Sequence, residues 1–197
     1  MINSSVAGVI LAAGKSERFG ANKLVADVGG KPMLRWVVEA ALRSGLSDIA
    51  IIVGHQRDKV LAVLEGLVEQ ERVSVIDNDL YSDGQSASVV AGVQHFEKTH
   101  AAVMFLMGDQ PYLESGMIDD LIDAFDASSK NIAFPVFEGQ RKTPVIFGRN
   151  YFHALMGITG DIGGRNIIKA NPDDVLGVPF AEGHAFLDFD RPSDLAR

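Results

Sequence analysis

Short apolar runs alternate along most of the chain with segments of helical periodicity. Four apolar runs predict buried strands, at residues 6–12, 49–53, 73–76 and 101–107, and the first of them is rich in β-branched residues. Helical patterns cover residues 32–43, 58–70, 86–97 and 117–125. This alternation predicts a three-layer α/β fold, with a mostly parallel, doubly wound sheet between helices.

The last third of the chain has a different pattern. Two predicted strands, 131–137 and 144–147, flank a polar turn at 139–142, which indicates a β-hairpin inserted into the sheet. Helices at 150–156 and 165–170 flank a glycine-rich segment, and strands at 175–179 and 185–189 close the pattern. No linker or repeat interrupts it, so we predict one domain over residues 1–197.

Composition narrows the function. The chain has 197 residues, 47% of them apolar, and a formal charge of −8, so we expect a globular protein that binds neither nucleic acid nor an anionic membrane. It has no cysteine, which excludes disulfides and thiol nucleophiles and fits a cytoplasmic protein. The first apolar run is too short to span a membrane, and no basic residue precedes it as in a signal peptide.

The loop after the first strand concentrates positive charge at the sheet edge where ligands bind. Five basic residues lie between positions 15 and 35, against two acidic ones. Glycines at 14 and 20 allow backbone N–H groups to face an anion, so the loop predicts phosphate binding; the alternative is a solvated loop with structural glycines. Gly14-Lys15-Ser16 matches the end of a Walker A motif, but position 9 is valine where that motif needs glycine.

Acidic and polar residues mark the other strand ends. Asp109 directly follows a buried strand and suits either magnesium or the start of a turn. Asp188 and Asp190 alternate along the predicted last strand, so both face one side of it, although Asp190 could instead cap a helix. The serines at 86 and 88 open a predicted helix and suit capping. The basic residues at 141 and 142 fit an exposed turn.

The loop sequence Leu-Ala-Ala-Gly-x-Ser-x-Arg-x-Gly-x-x-Lys-Leu resembles the signature loop of the MobA-like nucleotidyltransferases. The resemblance runs in order from residue 6 to residue 192 and implies their Rossmann-like fold, of the nucleotide-diphospho-sugar transferase type. In that family the loop wraps the triphosphate of the incoming nucleotide. The resemblance therefore implies nucleotide contacts from Leu11, Ala12, Ala13, Gly14, Lys15, Ser16, Arg18 and Lys23.

Further segments extend the resemblance. Gly-Asp-x-Pro at 108–111 and Asp-x-Asp-x-Pro at 188–192 resemble the family's metal site, which implies Mg²⁺ on Asp109 and on Asp190, favoured over Asp188. The Gly-x-Ser-x-Ser segment implies base contacts from Gly84, Ser86 and Ser88. The implied catalytic residues are Arg18, Lys23 and Asp109. The implied acceptor pocket comprises Arg141, Thr143, Pro144, Gly160, Asp161 and Arg165.

The details resemble the molybdenum cofactor cytidylyltransferases of the MocA type. Ala13 and Asn22-Lys23 stand where the guanylyltransferases of the family carry glycine and Asp-Lys, which favours CTP over GTP. The implied reaction moves CMP from CTP to the terminal phosphate of the molybdopterin cofactor, for a possible client molybdoenzyme. Lys142-Thr143 replaces the family's usual Gly-His before the proline, so a sugar or polyol phosphate stays open as acceptor. A guanylyltransferase that uses GTP and a non-enzymatic cofactor carrier also stay open.

Overall fold

The computed structural model describes residues 3–16, 19–161, 163–187, 189 and 193–194. Its strands are β1 (Asn3–Ala12), β2 (Asp27–Val28), β3 (Lys31–Pro32), β4 (Ile49–Val53), β5 (Val73–Asp77), β6 (His100–Met107), β7 (Ile132–Phe137), β8 (Gln140–Arg141), β9 (Val145–Gly148) and β10 (Val175–Pro179). Its helices are α1 (Met33–Arg43), α2 (Arg57–Ala62), α3 (Gln85–Phe96), α4 (Ser115–Asp126), α5 (Phe152–Met156) and α6 (Arg165–Ala170).

The main sheet has eight strands and is mostly parallel. Its order is β10-β7-β9-β6-β1-β4-β5, with β8 paired to β7, while β2 and β3 form a small separate ribbon. β1 lies between β6 and β4 and runs parallel to both, with Leu11 opposite Met107 and Ile52. β9 runs antiparallel to both β6 and β7. The predicted α/β fold with an antiparallel hairpin is therefore confirmed.

The helices cover both faces of the sheet because successive strand residues point to opposite sides. Ile10 and Ile51 pack on the face covered by α1 and α4, together with Leu34 of α1. Val9 and Ile52 pack on the other face, where α3, α5 and α6 lie. The central strands are thus buried on both sides, as their continuous apolar sequences predict.

Two predicted elements are wrong. The helix predicted over residues 58–70 ends at Ala62, and the chain continues in tight turns, with Leu64 N–H donating to the carbonyl of Leu61 at 2.9 Å and a left-handed Gly66. The strand predicted over residues 185–189 is a 3-10 turn from His184 to Phe186, with no strand at the other described positions of that range. Phe186 is buried as a single side chain in a loop, which satisfies its apolar character without a strand.

The carboxyl ends of β1 and β6 bring the first loop and Asp109 together. Gly108 N–H donates to the carbonyl of Leu11 at 3.2 Å, so the segments that follow β1 and β6 remain in contact just past the two strands. A Cβ at position 108 would stand only 2.9 Å from that oxygen. The close approach therefore depends on glycine and places Asp109 directly opposite the first loop.

Candidate active site

The first loop, which follows β1, has a few specific contacts that define its shape. Ala13 is buried, whereas Gly14 and Lys15 are exposed. Ser16 has a left-handed backbone (φ 53°), and its hydroxyl accepts a hydrogen bond from Lys23 N–H at 3.3 Å. Arg18, predicted to contact the phosphates, lies outside the described residues.

Asn22 sets the direction of Lys23. Its buried side chain accepts a hydrogen bond from Leu24 N–H at 3.1 Å, which caps the 3-10 turn Lys23–Val25. Its amide nitrogen also donates to the carbonyl of His55 at 3.5 Å. Because both ends of this amide are held, the next residue, Lys23, is directed into the site.

Lys23 and Asp109 form an ion pair at the centre of the site. Lys23 Nζ lies 2.6 Å from Asp109 Oδ2, and the two side chains are only 15% and 13% exposed. The other carboxylate oxygen, Oδ1, is buried and has no hydrogen-bond partner among the residues that the structure describes. A buried carboxylate oxygen normally has a partner, so Oδ1 suits a divalent cation, whose preferred ligands are oxygens.

A first pocket of about 400 Å³ opens beside this ion pair; we call it the nucleotide pocket, after the ligand that the sequence resemblance implies. The first loop and the start of α3 form its two sides. Its lining includes the predicted residues Leu11, Ala13, Gly14, Lys15, Ser16, Lys23, Gly84, Ser88 and Asp109. Two predicted residues do not line it: Ala12, which is buried, and Ser86, which is 4% exposed.

The start of α3 is bound by the glycine-rich segment. Gln85 N–H donates to Asp161 Oδ1 at 2.9 Å, and Ser86 N–H donates to the carbonyl of Gly160 at 3.1 Å. Gly84 has φ 105°, and a Cβ there would stand 2.7 Å from the carbonyl of Gly160. Gly160 and Asp161, predicted in the acceptor pocket, therefore lie against the helix start, and Asp161 lines the nucleotide pocket.

A second pocket of about 470 Å³ lies on the other side of Asp109; we call it the acceptor pocket, after the ligand that the sequence resemblance implies. Its cationic lining residues are Arg141, Lys142 and Arg165, all from the later part of the chain. Its apolar lining residues are Val89, Phe105, Val145, Phe147, Ile168 and Phe186, along with parts of Leu11 and Met107. Asp109 is the only acidic residue among the described residues of the lining. This pocket therefore suits an anionic ligand with an apolar body.

Two of its cations, Arg141 and Arg165, stand close together. Partial burial lowers the pKa of Arg141, and the nearby charge of Arg165 lowers it further. Neither guanidinium forms an ion pair with any acid in the part of the chain that the structure describes. Since a guanidinium keeps its proton in proteins, the two side chains together can bind an anion.

Thr143 supports the acceptor pocket through a hydrogen bond rather than a charge. Its hydroxyl donates to Gln110 Oε1 at 2.9 Å, and Gln110 is only 2% exposed. Pro144 is buried and does not line the pocket. The predicted hairpin residues therefore divide into the lining residues Arg141 and Thr143 and a structural proline.

The two pockets share one wall. Leu11, Gln85, Met107 and Asp109 line both of them. Gln85 Nε2 lies 3.5 Å from Met107 Sδ, and this contact holds the Gln85 amide at the shared wall. A ligand in each pocket would thus meet beside the carboxylate of Asp109.

Several site residues escaped the sequence reasoning. Gln85, Tyr81 and Ser82 line the nucleotide pocket, and Gln110 lines the acceptor pocket. Gln85 stands inside the Gly-x-Ser-x-Ser segment, at a position that the pattern leaves open. Gln85 could therefore have been predicted from its position within this motif. No sequence pattern indicates Tyr81 and Ser82, which reach the pocket because of the path of the loop after β5.

Asp188 and Asp190, predicted as metal ligands, lie outside the described residues. Within the described ranges, no group of three or more histidine, cysteine, aspartate or glutamate side chains is arranged to hold a metal ion. Asp109 is thus the predicted ligand whose surroundings the structure describes. No helix among those ranges is long and apolar enough to cross a membrane.

Comparisons with known proteins show the family and the fold of the chain. The sequence model of the MobA-like NTP transferase domain matches residues 8–175. The bifunctional protein GlmU of Sorangium cellulosum is 31% identical over 144 residues, which cover 72% of this chain and 30% of that protein. The purine catabolism protein PucB of Bacillus subtilis is 29% identical over 167 residues, covering 83% of this chain and 80% of PucB. The chain thus spans less than a third of the GlmU protein that it matches.

Solved structures share the fold along nearly the whole chain. Rv0371c from Mycobacterium tuberculosis superimposes with a TM-score of 0.81 at 22% identity, covering 98% of this chain and 97% of that one. A nucleotidyl transferase from Methanothermobacter (Mth528) gives 0.82 at 19% identity, with 99% and 96% covered. At these identities the likeness establishes the fold, whereas the match to residues 8–175 establishes the family. The chain therefore belongs to the MobA-like NTP transferase family, a family of nucleotidyltransferases.

Proposed function

We propose that this protein transfers CMP from CTP to a terminal phosphate of the molybdopterin cofactor and releases pyrophosphate. The observation that carries the proposal is the pair of pockets on either side of Asp109. One pocket has a glycine-bearing loop and the start of a helix, and the other has a pair of neighbouring arginines. Two anionic substrates that react with one another need this kind of divided site.

Charge and alignment are the main barriers to this reaction. A phosphate oxygen of the acceptor forms a bond to the α-phosphorus of CTP, while the bond from that phosphorus to the bridging oxygen of pyrophosphate breaks. Lys23 Nζ lies 2.6 Å from Asp109 Oδ2 and places a positive charge at the shared wall, where the two anionic substrates would meet. Such preorganised charge is commonly the largest catalytic contribution, about 3–4 kcal/mol for a well-placed group.

The substrate supplies its own nucleophile, so this chain's residues bind and orient. Gly14 and Lys15 are exposed residues whose backbone N–H groups would bind the triphosphate, and Arg141 and Arg165 would hold the acceptor phosphate. Asp109 Oδ1 is buried and has no hydrogen bond from the described part of the chain, so it fits a ligand of Mg²⁺. A bound Mg²⁺ would offset negative charge on the phosphate oxygens. A related structure, Rv0371c, has been solved as a complex with manganese.

The size of the base site favours CTP. Ala13 is 3% exposed and lines the nucleotide pocket, so its methyl group takes up room that glycine would leave open. A pyrimidine needs less room than a purine. The proposal therefore has CTP as donor, with GTP as the competing donor that the experiment must exclude.

The experiment measures pyrophosphate release with CTP, GTP, ATP and UTP in the presence of magnesium, with and without purified molybdopterin cofactor. We expect release with CTP that depends on the acceptor. Preference for GTP would overturn the assignment of the donor, and release with a polyol phosphate instead would overturn the assignment of the acceptor. Tight cofactor binding without pyrophosphate release would instead indicate a carrier that serves a client molybdoenzyme.

A further inference from the structure

Asn78 lies behind the nucleotide pocket and does not line it. It directly follows β5, is 6% exposed, and its backbone N–H donates to the carbonyl of Val53 at 2.8 Å. A buried polar side chain at this place must hydrogen-bond to its neighbours, since water does not reach it. Its partners therefore reveal what it does.

The hydrogen bonds of Asn78 fix the orientation of its amide. Leu80 N–H donates to Asn78 Oδ1 at 3.1 Å, and a backbone N–H can only donate. The oxygen must therefore face Leu80, and the NH₂ group must face the other way. There Asn78 Nδ2 donates to the hydroxyl of Ser88 at 3.0 Å.

This contact determines what Ser88 can offer to a ligand. Ser88 stands in the first turn of α3 and lines the nucleotide pocket. Its oxygen already accepts from Asn78, and its hydroxyl hydrogen has no acceptor among the residues that the structure describes. A serine hydroxyl has one hydrogen to donate, so this hydrogen remains available to a bound molecule.

We propose that Asn78 is a positioning residue for base selection: it holds Ser88 as a hydrogen-bond donor toward the nucleobase. The inference rests on the proposed function, because it takes the pocket to hold a nucleotide. A hydroxyl donor suits an acceptor atom such as N3 of cytosine. Uracil carries a hydrogen on N3, so a donor from Ser88 would disfavour UTP, as unpaired or opposed polar groups do in a buried site.

Substitution Asn78→Asp isolates this role. An aspartate can still accept from Leu80 N–H, but it cannot donate to Ser88. The Ser88 hydroxyl would then donate to the new carboxylate and present its lone pairs to the base. We expect the ratio of the dissociation constants for UTP and CTP, measured by titration calorimetry with magnesium, to fall at least tenfold.

The ratio of the two dissociation constants separates base selection from simple charge repulsion. An added negative charge weakens the binding of both nucleotides by the same factor and leaves the ratio unchanged. In a Ser88→Ala background, Asn78→Asp should leave the ratio unchanged, since the hydroxyl is gone. Circular dichroism checks that each variant is folded. Equal weakening of both nucleotides, or the same change of the ratio in the Ser88→Ala background, would overturn the inference.

The same experiment keeps the two proposals distinguishable. If the wild type prefers GTP, CTP as the donor is wrong, and Asn78 is then judged by the ratio for ATP and GTP. Guanine O6 is an acceptor where adenine N6 is a donor, so the expected shift has the same direction. If the wild type binds no nucleotide, both proposals fall.

Discussion

The nucleotide pocket and the acceptor pocket share Asp109 but present different groups to a ligand. The first offers backbone groups, small side chains and hydroxyls, such as Gly14, Ser16 and Ser88. The second offers long cationic side chains, such as Arg141 and Arg165, around apolar walls. Backbone contacts suit a triphosphate that is the same in every nucleotide, whereas side chains can be changed to suit one acceptor. Substitutions in the two pockets should therefore have separable effects.

The largest effect should come from the shared wall. Asp109→Asn, and separately Lys23→Met, removes a charge from the place where both substrates meet. We expect the turnover number to fall about a hundredfold or more in each variant, as when a preorganised charge is lost. The measurement is magnesium-dependent pyrophosphate release with both substrates at saturation.

Asp123→Asn is the matched control, because Asp123 is exposed on α4 and lines neither pocket. It removes the same negative charge as Asp109→Asn without touching the site, so we expect ordinary turnover. Turnover of the Asp109 or Lys23 variant within threefold of the wild type would refute the central position of the ion pair.

The next effect should divide the two pockets. Arg141→Gln and Arg165→Gln each remove one cation from the acceptor pocket and leave the nucleotide pocket intact. We expect the KM for the acceptor to rise about tenfold in each, equivalent to about 1.4 kcal/mol, while the dissociation constant for the nucleotide stays the same. Steady-state kinetics and calorimetry measure the two quantities.

Arg43→Gln serves as control for the arginine pair, because Arg43 is 60% exposed on α1, away from both pockets. Arg141→Lys asks whether the planar guanidinium is needed or only the charge. An equal loss of nucleotide affinity in the Gln variants would mean that the division between the pockets is wrong.

Stability should report on the contact between Gly84 and Gly160. Gly84→Ala places a Cβ 2.7 Å from the carbonyl of Gly160 at a residue with φ 105°. We expect the free energy of unfolding to fall by about 1–3 kcal/mol, measured by urea denaturation. Gly116→Ala in α4 is the control, because its Cβ would meet nothing within 4 Å and its φ is ordinary. Equal stability of both variants would contradict the prediction, because it would show that the backbone around Gly160 moves to accommodate the added Cβ without a cost in stability.

The smallest effect should appear far from both pockets, at Glu39 on α1. Burial alone would raise the pKa of Glu39, but hydrogen bonds and charges from Lys31 and Arg35 outweigh it and lower the pKa below 4.5. A carboxyl whose pKa is lower in the folded than in the unfolded protein stabilises the fold at pH values above its unfolded pKa. This stabilisation is lost as the pH falls through the pKa of the folded state.

Glu39→Gln should therefore cost about 1 kcal/mol of unfolding free energy at neutral pH. The difference from the wild type should shrink as the pH falls below 4.5, the ordinary pKa of this carboxyl. Urea denaturation at a series of pH values measures it, and catalysis should be unchanged. A difference that stays constant down to pH 3 would contradict the role of these ion pairs.

The sequence predicts the nucleotide pocket better than the acceptor pocket, for physical reasons. Gly14 and Ser16 follow a strand within one short loop, so local sequence determines their position. Asp109 follows the neighbouring strand, and parallel strands bring their carboxyl ends to one edge. Arg141 and Arg165 approach one another only through the pairing of β7, β8 and β9 and the placement of α6, which no local pattern reveals.

The errors have the same origin. Residues near 186 have apolar character that suits a strand, but Phe186 fills a space between loops. The contacts of Asp161 are equally hidden from the sequence: it stays predicted as an acceptor residue, and it accepts a hydrogen bond from Gln85 N–H at the start of α3. Side-chain burial and capping by distant residues depend on tertiary contacts, so periodicity alone does not predict them.

A crystal structure with a non-hydrolysable CTP analogue, Mn²⁺ and inorganic phosphate tests the central claim most directly. The account predicts the triphosphate along residues 13–16, an anomalous manganese peak beside Asp109 Oδ1, and a phosphate between Arg141 and Arg165. A nucleotide seated in the pocket of Arg141 and Arg165, or a manganese ion away from Asp109, would contradict it.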